Sequence, residues 1–122
     1  MEKIDWSYWD NLMRVGRIIL ARFDLYPKVE LSCTHPTYIL MKDNIKGEFS
    51  VGNYYYGNRP SQCIVLNYKY PEDAMNTILH EIAHSIEYNL YGKLSNHGKQ
   101  WQTIAKAIGV SDDDIKRYIN HS

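Results

Sequence analysis

One helix in the second half of the chain constrains the fold more than any other segment. After Pro71 the apolar residues recur at helical spacing and form a single stripe: Met75, Ile78, Leu79, Ile82, Ile86 and Leu90. Pro71 suits an early helix position, and we expect the helix to stop at Gly92. At about 100° per residue, His80 and His84 point roughly opposite the stripe. One face of this helix can therefore pack on a core while the other lines a cleft.

The same helix carries the sequence His80-Glu81-Ile82-Ala83-His84. Two histidines four residues apart lie one helical turn apart, so both imidazoles can reach one metal ion. Zinc with three protein ligands keeps a fourth position for water, and Glu81 is placed to act as the general base for that water. The alternative is a helix whose outward histidines belong to an ordinary solvated surface. We favour the metal site.

The third ligand distinguishes the types of zinc peptidase. The metzincin pattern would require His in place of Leu90 and Gly in place of Glu87, and neither is present. No Glu follows Glu87, which excludes a Glu ligand on a later helix. For Glu87 itself we expect a hydrogen bond behind the ligands, or solvation. His97 remains, in a loop that runs through Gly98 into a helix anchored by Trp101. We predict that His97 is the third ligand rather than a polar residue near a helix start.

The remaining segments predict an α+β fold in one domain, residues 1–122. A helix is expected from Asp5 to about Phe23, and strands are expected at 28–33, 38–41, 47–51 and 62–68. Two more helices should run from about 98 to 108 and from Ser111 onward. We therefore predict an N-terminal helix and a small, mostly antiparallel sheet, followed by the metal-binding helix and further helices.

Composition narrows the class of protein. With 44% hydrophobic and 23% charged residues, the chain has the composition of a globular domain rather than a disordered one. Its 14 basic residues balance 14 acidic ones, so no net charge favours nucleic acid. The two cysteines form no CxxC pair, the N-terminus lacks the apolar run of a signal peptide, and no segment approaches the ~20 apolar residues of a membrane span. We expect a cytoplasmic protein without a membrane partner.

Taken together, these motifs resemble the SprT-like zinc metallopeptidases, of which the Spartan proteases are the best-known relatives. The resemblance covers most of the chain, is strongest from Ile64 to Gly109, and rests on the pentapeptide at 80–84, His97-Gly98-x-x-Trp101 and Ala105-x-x-Ile108-Gly109. It implies a minimal zincin-like domain with Zn²⁺ on His80, His84 and His97. It also implies that Glu81 is catalytic and that the reaction is hydrolysis of peptide bonds in a protein substrate.

DNA is a further partner that the resemblance suggests, because Spartan proteases cut proteins crosslinked to DNA. Arg14, Arg17, Arg22 and the cluster Tyr54–Tyr56 could form a small binding patch, but we favour a solvated helix face for the arginines and packed aromatic rings for the tyrosines. Many SprT-like proteins add a Cys-rich zinc ribbon, and these 122 residues contain none. The sequence therefore gives DNA little support.

Two rival functions are consistent with the same residues. The first is a non-catalytic interaction module with a structural metal, and Glu81 argues against it because such a site does not need a general base. The second is a repressor-cleaving protease of the ImmA/IrrE type. Such proteases usually complete the metal site with an acidic ligand, and this chain has no Glu after Glu87 to provide one.

Overall fold

The computed structural model of the protein describes residues 4–34, 45–53 and 60–120. Within these ranges lie four α-helices and three strands: α1 (Trp6–Arg22), β1 (Val29–Thr34), β2 (Gly47–Asn53), β3 (Pro60–Asn67), α2 (Ala74–Tyr91), α3 (Lys99–Ile108) and α4 (Asp112–Asn120). A short 3-10 turn at Pro71–Asp73 leads into α2. The predicted α+β class is confirmed. The predicted strand at 38–41 and the cluster Tyr54–Tyr56 lie outside the described residues.

Local chemistry sets where the helices begin and end. The Asp5 side chain accepts a hydrogen bond from the Tyr8 backbone N–H at 3.1 Å and so caps α1. At the start of α4, Ser111 and Asp114 bond reciprocally, with the Asp114 backbone N–H donating to the Ser111 hydroxyl at 3.2 Å. Helix α2 ends at Gly92, whose φ of 74° is readily adopted by glycine. These ends agree with the sequence signals.

The sheet has the strand order β1-β3-β2, with β3 in the centre. β2 pairs with β3 in antiparallel fashion, whereas β1 pairs with β3 in parallel, from Val29 opposite Gln62 to Thr34 opposite Asn67. The prediction of a mostly antiparallel sheet is therefore wrong, because the described sheet is mixed. Alternating side chains indicate that a segment is a strand, but they carry no information about the direction of its neighbour.

Helix α2 packs between two groups of buried side chains. Toward α1 and the sheet it contributes Ile78, Ile82 and Ile86, and toward α3 and α4 it contributes Leu79 and Ala83. The predicted apolar stripe is thus buried along its middle, whereas Met75 and Leu90 at its ends are exposed. No helix among the described residues has the length and apolar character needed to cross a membrane.

The edge strand β2 lies close to the first turn of α2. A Cβ atom added to Gly47 would lie 2.6 Å from the Thr77 methyl carbon and 2.9 Å from a Leu66 methyl carbon, closer than carbon atoms can pack. Glycine at this position therefore permits the close approach. The consequence for the site is that β2 runs beside the helix that carries the two motif histidines.

Candidate metal centre

Helix α2 brings its two motif histidines together. The Nε2 atoms of His80 and His84 lie 3.0 Å apart, and the ring centroids are separated by 4.6 Å. Both residues lie well inside an 18-residue helix whose opposite face is buried, so their backbone positions are set by regular helical geometry. The pair therefore forms the arrangement that the four-residue spacing predicts.

The loop between α2 and α3 adds the third histidine. The Nε2 atom of His97 lies 3.1 Å from the Nε2 atom of His80, and the possible ligand atoms of all three histidines lie within 4.8 Å of one another. Among the described residues this is the only group of three or more His, Cys, Asp or Glu side chains that could hold a metal ion. The structure thus brings together the three residues that the sequence predicted as ligands.

The contacts between these nitrogens fit a shared cation better than hydrogen bonds. A neutral imidazole nitrogen carries either one hydrogen or one lone pair in the ring plane, so Nε2 of His80 can form only one good hydrogen bond. It nevertheless approaches both other rings at hydrogen-bond distance. Nitrogens bound to tetrahedral zinc at 2.0–2.1 Å would be roughly 3.3 Å apart. The three imidazoles therefore fit a metal ion, and a donor set of this kind suits zinc, copper, iron or nickel.

The protonation state of the rings is also suitable. Burial lowers the pKa of His80 to about 3, reinforced by the charges of His84 and His97, and it lowers the pKa of His84 to about 4, reinforced by the charge of His97. Burial also lowers the pKa of His97, and the charge of Glu87 acts in the opposite direction. All three rings are therefore neutral near pH 7, and a neutral imidazole is the form that binds metal.

Glu81 lies on the other side of the motif, facing β2. Its side chain is 6% exposed. Burial, together with the nearby charge of Glu48, raises the pKa of Glu81 to about 8, while a hydrogen bond from the Phe49 backbone acts in the opposite direction. A carboxyl group whose pKa lies near neutrality can both accept and return a proton, which is what general acid–base catalysis requires.

A cleft of about 480 Å³ gives access to these groups. One wall is β2, the other is the loop after α2, and the floor is the histidine face of α2; the lining residues are Ile45, Gly47, Glu48, Phe49, His80, Glu81, His84, Leu94, Asn96 and His97. The sequence analysis did not identify Glu48, Phe49 or Leu94 as part of the site. No sequence motif marks these residues. They line the cleft because of the way β2 pairs in the sheet and the course that the loop takes after α2.

Trp101 of α3 lies against all three histidines. Its ring centroid is 5.0 Å from that of His80, 5.4 Å from that of His84 and 4.7 Å from that of His97. The indole N–H donates to the His80 backbone carbonyl at 3.4 Å, and the residue is 0% exposed. The prediction that Trp101 anchors α3 in the core is confirmed, and the same side chain supports the histidine cluster.

Comparison with known proteins agrees with the motif. The chain is similar to the protein SprT of Vibrio parahaemolyticus serotype O3:K6 (strain RIMD 2210633), with 27% identity over 77 residues, which cover 62% of this chain and 47% of the relative. The chain therefore spans about half the length of that curated relative. No solved structure matches the chain significantly. The model of the SprT-like family matches residues 42–121, which include the whole histidine cluster, and the chain therefore belongs to the SprT-like family.

Proposed function

We propose that the protein is a zinc-dependent peptidase in which His80, His84 and His97 hold zinc and Glu81 is the general base. The observation that carries the proposal is the buried Glu81 carboxyl, which lines the same cleft as three converging neutral imidazoles. A purely structural metal site has no need of such a group. Bound zinc would supply a Lewis acid that lowers the pKa of water and polarises a carbonyl.

The chemistry assigned to the chain itself is proton transfer by Glu81. Its raised pKa keeps it protonated near neutral pH when no cation is present, and a nearby divalent cation would favour the carboxylate. In that form Glu81 accepts a proton from the attacking water and returns it to the leaving amine nitrogen. A hydrogen bond from the Phe49 backbone joins the carboxyl to β2, one wall of the cleft.

An extended polypeptide is the substrate that the cleft suits best. Within the described residues β2 is an edge strand, paired only with β3, and it forms one wall of the cleft. Exposed edge strands can add an extended peptide through backbone hydrogen bonds. Phe49 on β2 and Leu94 on the opposite wall are apolar, and so would accommodate an apolar side chain of the substrate.

The proposal is tested by the substitution Glu81→Gln. An amide of the same shape cannot accept the proton, so we expect cleavage of an unfolded protein substrate to fall by about 100- to 10,000-fold. Zinc content, measured by elemental analysis, should stay at one ion per chain in both proteins. Removal of zinc with a chelator should abolish cleavage, and re-addition should restore it.

Glu72→Gln serves as the matched control, because it makes the same change at an exposed carboxyl that does not line the cleft. It should leave cleavage within a few-fold of the wild type. Equal rates for wild type and Glu81→Gln would remove Glu81 from the mechanism. Zinc binding without any cleavage, by either protein, would favour the non-catalytic interaction module.

A further inference from the structure

The loop that presents His97 has an unusual backbone. Asn96 and His97 have φ angles of 56° and 67°, so two consecutive non-glycine residues lie in the left-handed region. This region is unfavourable for most L-residues; Asn and His occur there more often than others, but as single residues, so two in succession depend on supporting contacts. Something in the fold must therefore keep this turn in place.

Glu87 provides the contacts that the turn needs. It lies on α2, three residues after His84, and it is 0% exposed. One carboxyl oxygen accepts the Ser95 backbone N–H at 3.0 Å, and the other accepts the Ser95 hydroxyl. The Ser95 hydroxyl oxygen in turn accepts the Gly98 backbone N–H at 3.0 Å. These bonds fix the residues on both sides of Asn96 and His97.

The glycine after His97 belongs to the same arrangement. A Cβ atom at Gly98 would lie 3.1 Å from both the Cβ and the hydroxyl oxygen of Ser95, tighter than ordinary packing. From the far side, the Gln102 side-chain amide donates to the His97 carbonyl at 2.9 Å. Hydrogen bonds within the loop and from α3 therefore hold the turn, and Glu87 is the side chain that bonds it to α2.

Glu87 is a fully buried carboxyl group on α2, which is an unusual place for an acidic residue. Its neighbours on α2 include buried Ala83 and Ile86, so an apolar residue could occupy the position at lower desolvation cost. A buried carboxyl whose hydrogen bonds, among the described residues, all go to one loop residue restrains that loop relative to the helix. Since α2 carries His80 and His84, the restraint sets the distance between the third histidine and the other two.

We propose that Glu87, acting through Ser95, is a positioning residue that holds His97 at the metal site. The proposal rests on the metal site of the proposed function but not on peptidase activity. Outer-shell contacts of this kind typically change metal affinity by roughly 10- to 100-fold. If Glu87 instead served only to stabilise the fold, its removal would lower the melting temperature and leave metal affinity unchanged.

Metal affinity is the main measurement, made with zinc in competition with a chromophoric chelator and with cobalt(II), whose visible spectrum reports coordination. Glu87→Ala should weaken zinc binding roughly 10- to 100-fold and alter the cobalt spectrum. Glu87→Gln keeps one acceptor oxygen and should show a smaller loss. The matched control is Ser85→Ala on the same helix, where a fully buried hydroxyl bonds only the Ile82 carbonyl within the described residues. It should leave affinity unchanged.

A double-mutant cycle separates positioning from general stabilisation. In a His97→Ala background, Glu87→Ala should cause no further loss of zinc affinity, because the residue that it positions is gone. An equal loss in both backgrounds would overturn the proposal. So would unchanged zinc affinity in Glu87→Gln and Ser95→Ala, two variants that keep most of the buried volume.

Hydrogen exchange in the metal-free protein gives a readout that does not depend on zinc or on catalysis. The amide hydrogens of Ser95 and Gly98 should be protected in the wild type and should exchange faster in Glu87→Gln. Unprotected amides in the wild type would contradict the restraint itself. If the protein bound zinc without cleaving any substrate, the proposed peptidase function would be refuted. The zinc-affinity and hydrogen-exchange measurements would still test whether Glu87 positions His97.

Discussion

Two of the three histidines lie in the regular helix α2, whereas the third lies in a loop whose backbone is strained. His80 and His84 are positioned by a spacing of four residues and by the burial of the opposite helix face. His97 has a φ of 67°, and its carbonyl accepts a hydrogen bond from the Gln102 amide. On either side of it, Gly98 donates to Ser95 and Ser95 donates to Glu87. Regular helical geometry thus builds one half of the site, and hydrogen bonds between the loop and its two flanking helices build the other. The two halves should respond differently to substitution.

The largest expected effect on stability is that of removing Trp101, whose side chain contacts the two helix histidines and the loop histidine. Trp101→Ala would leave a cavity beside all three histidines, and we expect the free energy of unfolding to fall by roughly 3–5 kcal/mol. Trp101→Phe keeps most of the ring and should cost less. Chemical denaturation of the metal-free proteins measures both. A Trp101→Ala protein as stable as the wild type would show that the halves are held together in another way.

Removal of single ligands should show that both halves serve one metal ion. Zinc fingers bind with about 10–16 kcal/mol of apparent free energy shared among four ligands, so His84→Ala and His97→Ala should each lower zinc affinity on the order of 100-fold or more. Competition with a chelator measures the loss. If His97→Ala bound zinc as tightly as the wild type, the loop would contribute no ligand.

Acid titration of the metal-free protein should separate the halves by pH. Burial lowers the pKa of His84 to about 4 and that of His80 to about 3; burial also lowers the pKa of His97, where the charge of Glu87 acts in the opposite direction. As pH falls, His97 should therefore take up its proton first, which NMR of the ring hydrogens can follow. Glu87→Gln should lower the pKa of His97 further. Protonation of all three rings at the same pH would contradict this difference between His97 and the two helix histidines.

The same shifts predict how stability depends on pH. For His80 and His84 the unfolded state binds more protons between about pH 4 and the ordinary histidine pKa near 6.5, so stability should fall as pH drops through this window. Glu81 acts in the opposite sense, because its raised pKa makes stability fall as pH rises toward about 8. Glu81→Gln should remove the decline above pH 6.5. Denaturation between pH 6.5 and 8 tests this.

The smallest expected effects come from replacing Asn with Gly at two positions, one in the loop and one in α2. We expect the two replacements to affect stability differently. Asn96→Gly relieves a left-handed backbone angle and should stabilise the protein or leave it unchanged, within about 1 kcal/mol. Asn76→Gly places glycine within the helical part of α2 and should destabilise by a few tenths of a kcal/mol. Equal and opposite outcomes would sharpen the contrast between helix and loop, and destabilisation in both would weaken it.

The parts of the site that could be predicted from the sequence follow the same division between helix and loop. The helical spacing of His80 and His84 placed both rings together, and the context Gly98-Lys99-Gln100-Trp101 identified His97 as their companion. The mixed sheet was not predictable, since the pairing of β1 with β3 depends on chain path rather than on alternation. Glu48 and Phe49 likewise join the cleft only because β2 lies beside α2. Glu87 is hydrogen-bonded rather than solvated, which was one of the two alternatives, but its partner is Ser95 of the loop rather than a histidine, and no sequence pattern marks that partner.

The position of Trp101 gives the protein an internal optical probe. Its indole is fully buried and lies about 5 Å from each of the three imidazole rings, whereas Trp6 is largely exposed to solvent. Trp9 is also buried, at 3% exposed, so the probe is best used in a Trp9→Phe variant. Emission from a buried indole lies to the blue of emission from an exposed one, so in that variant the blue edge of the spectrum should report mainly on the surroundings of the site. Paramagnetic cobalt or copper at the histidines should quench that edge first. Occupancy of the site can therefore be followed by fluorescence without attaching a label.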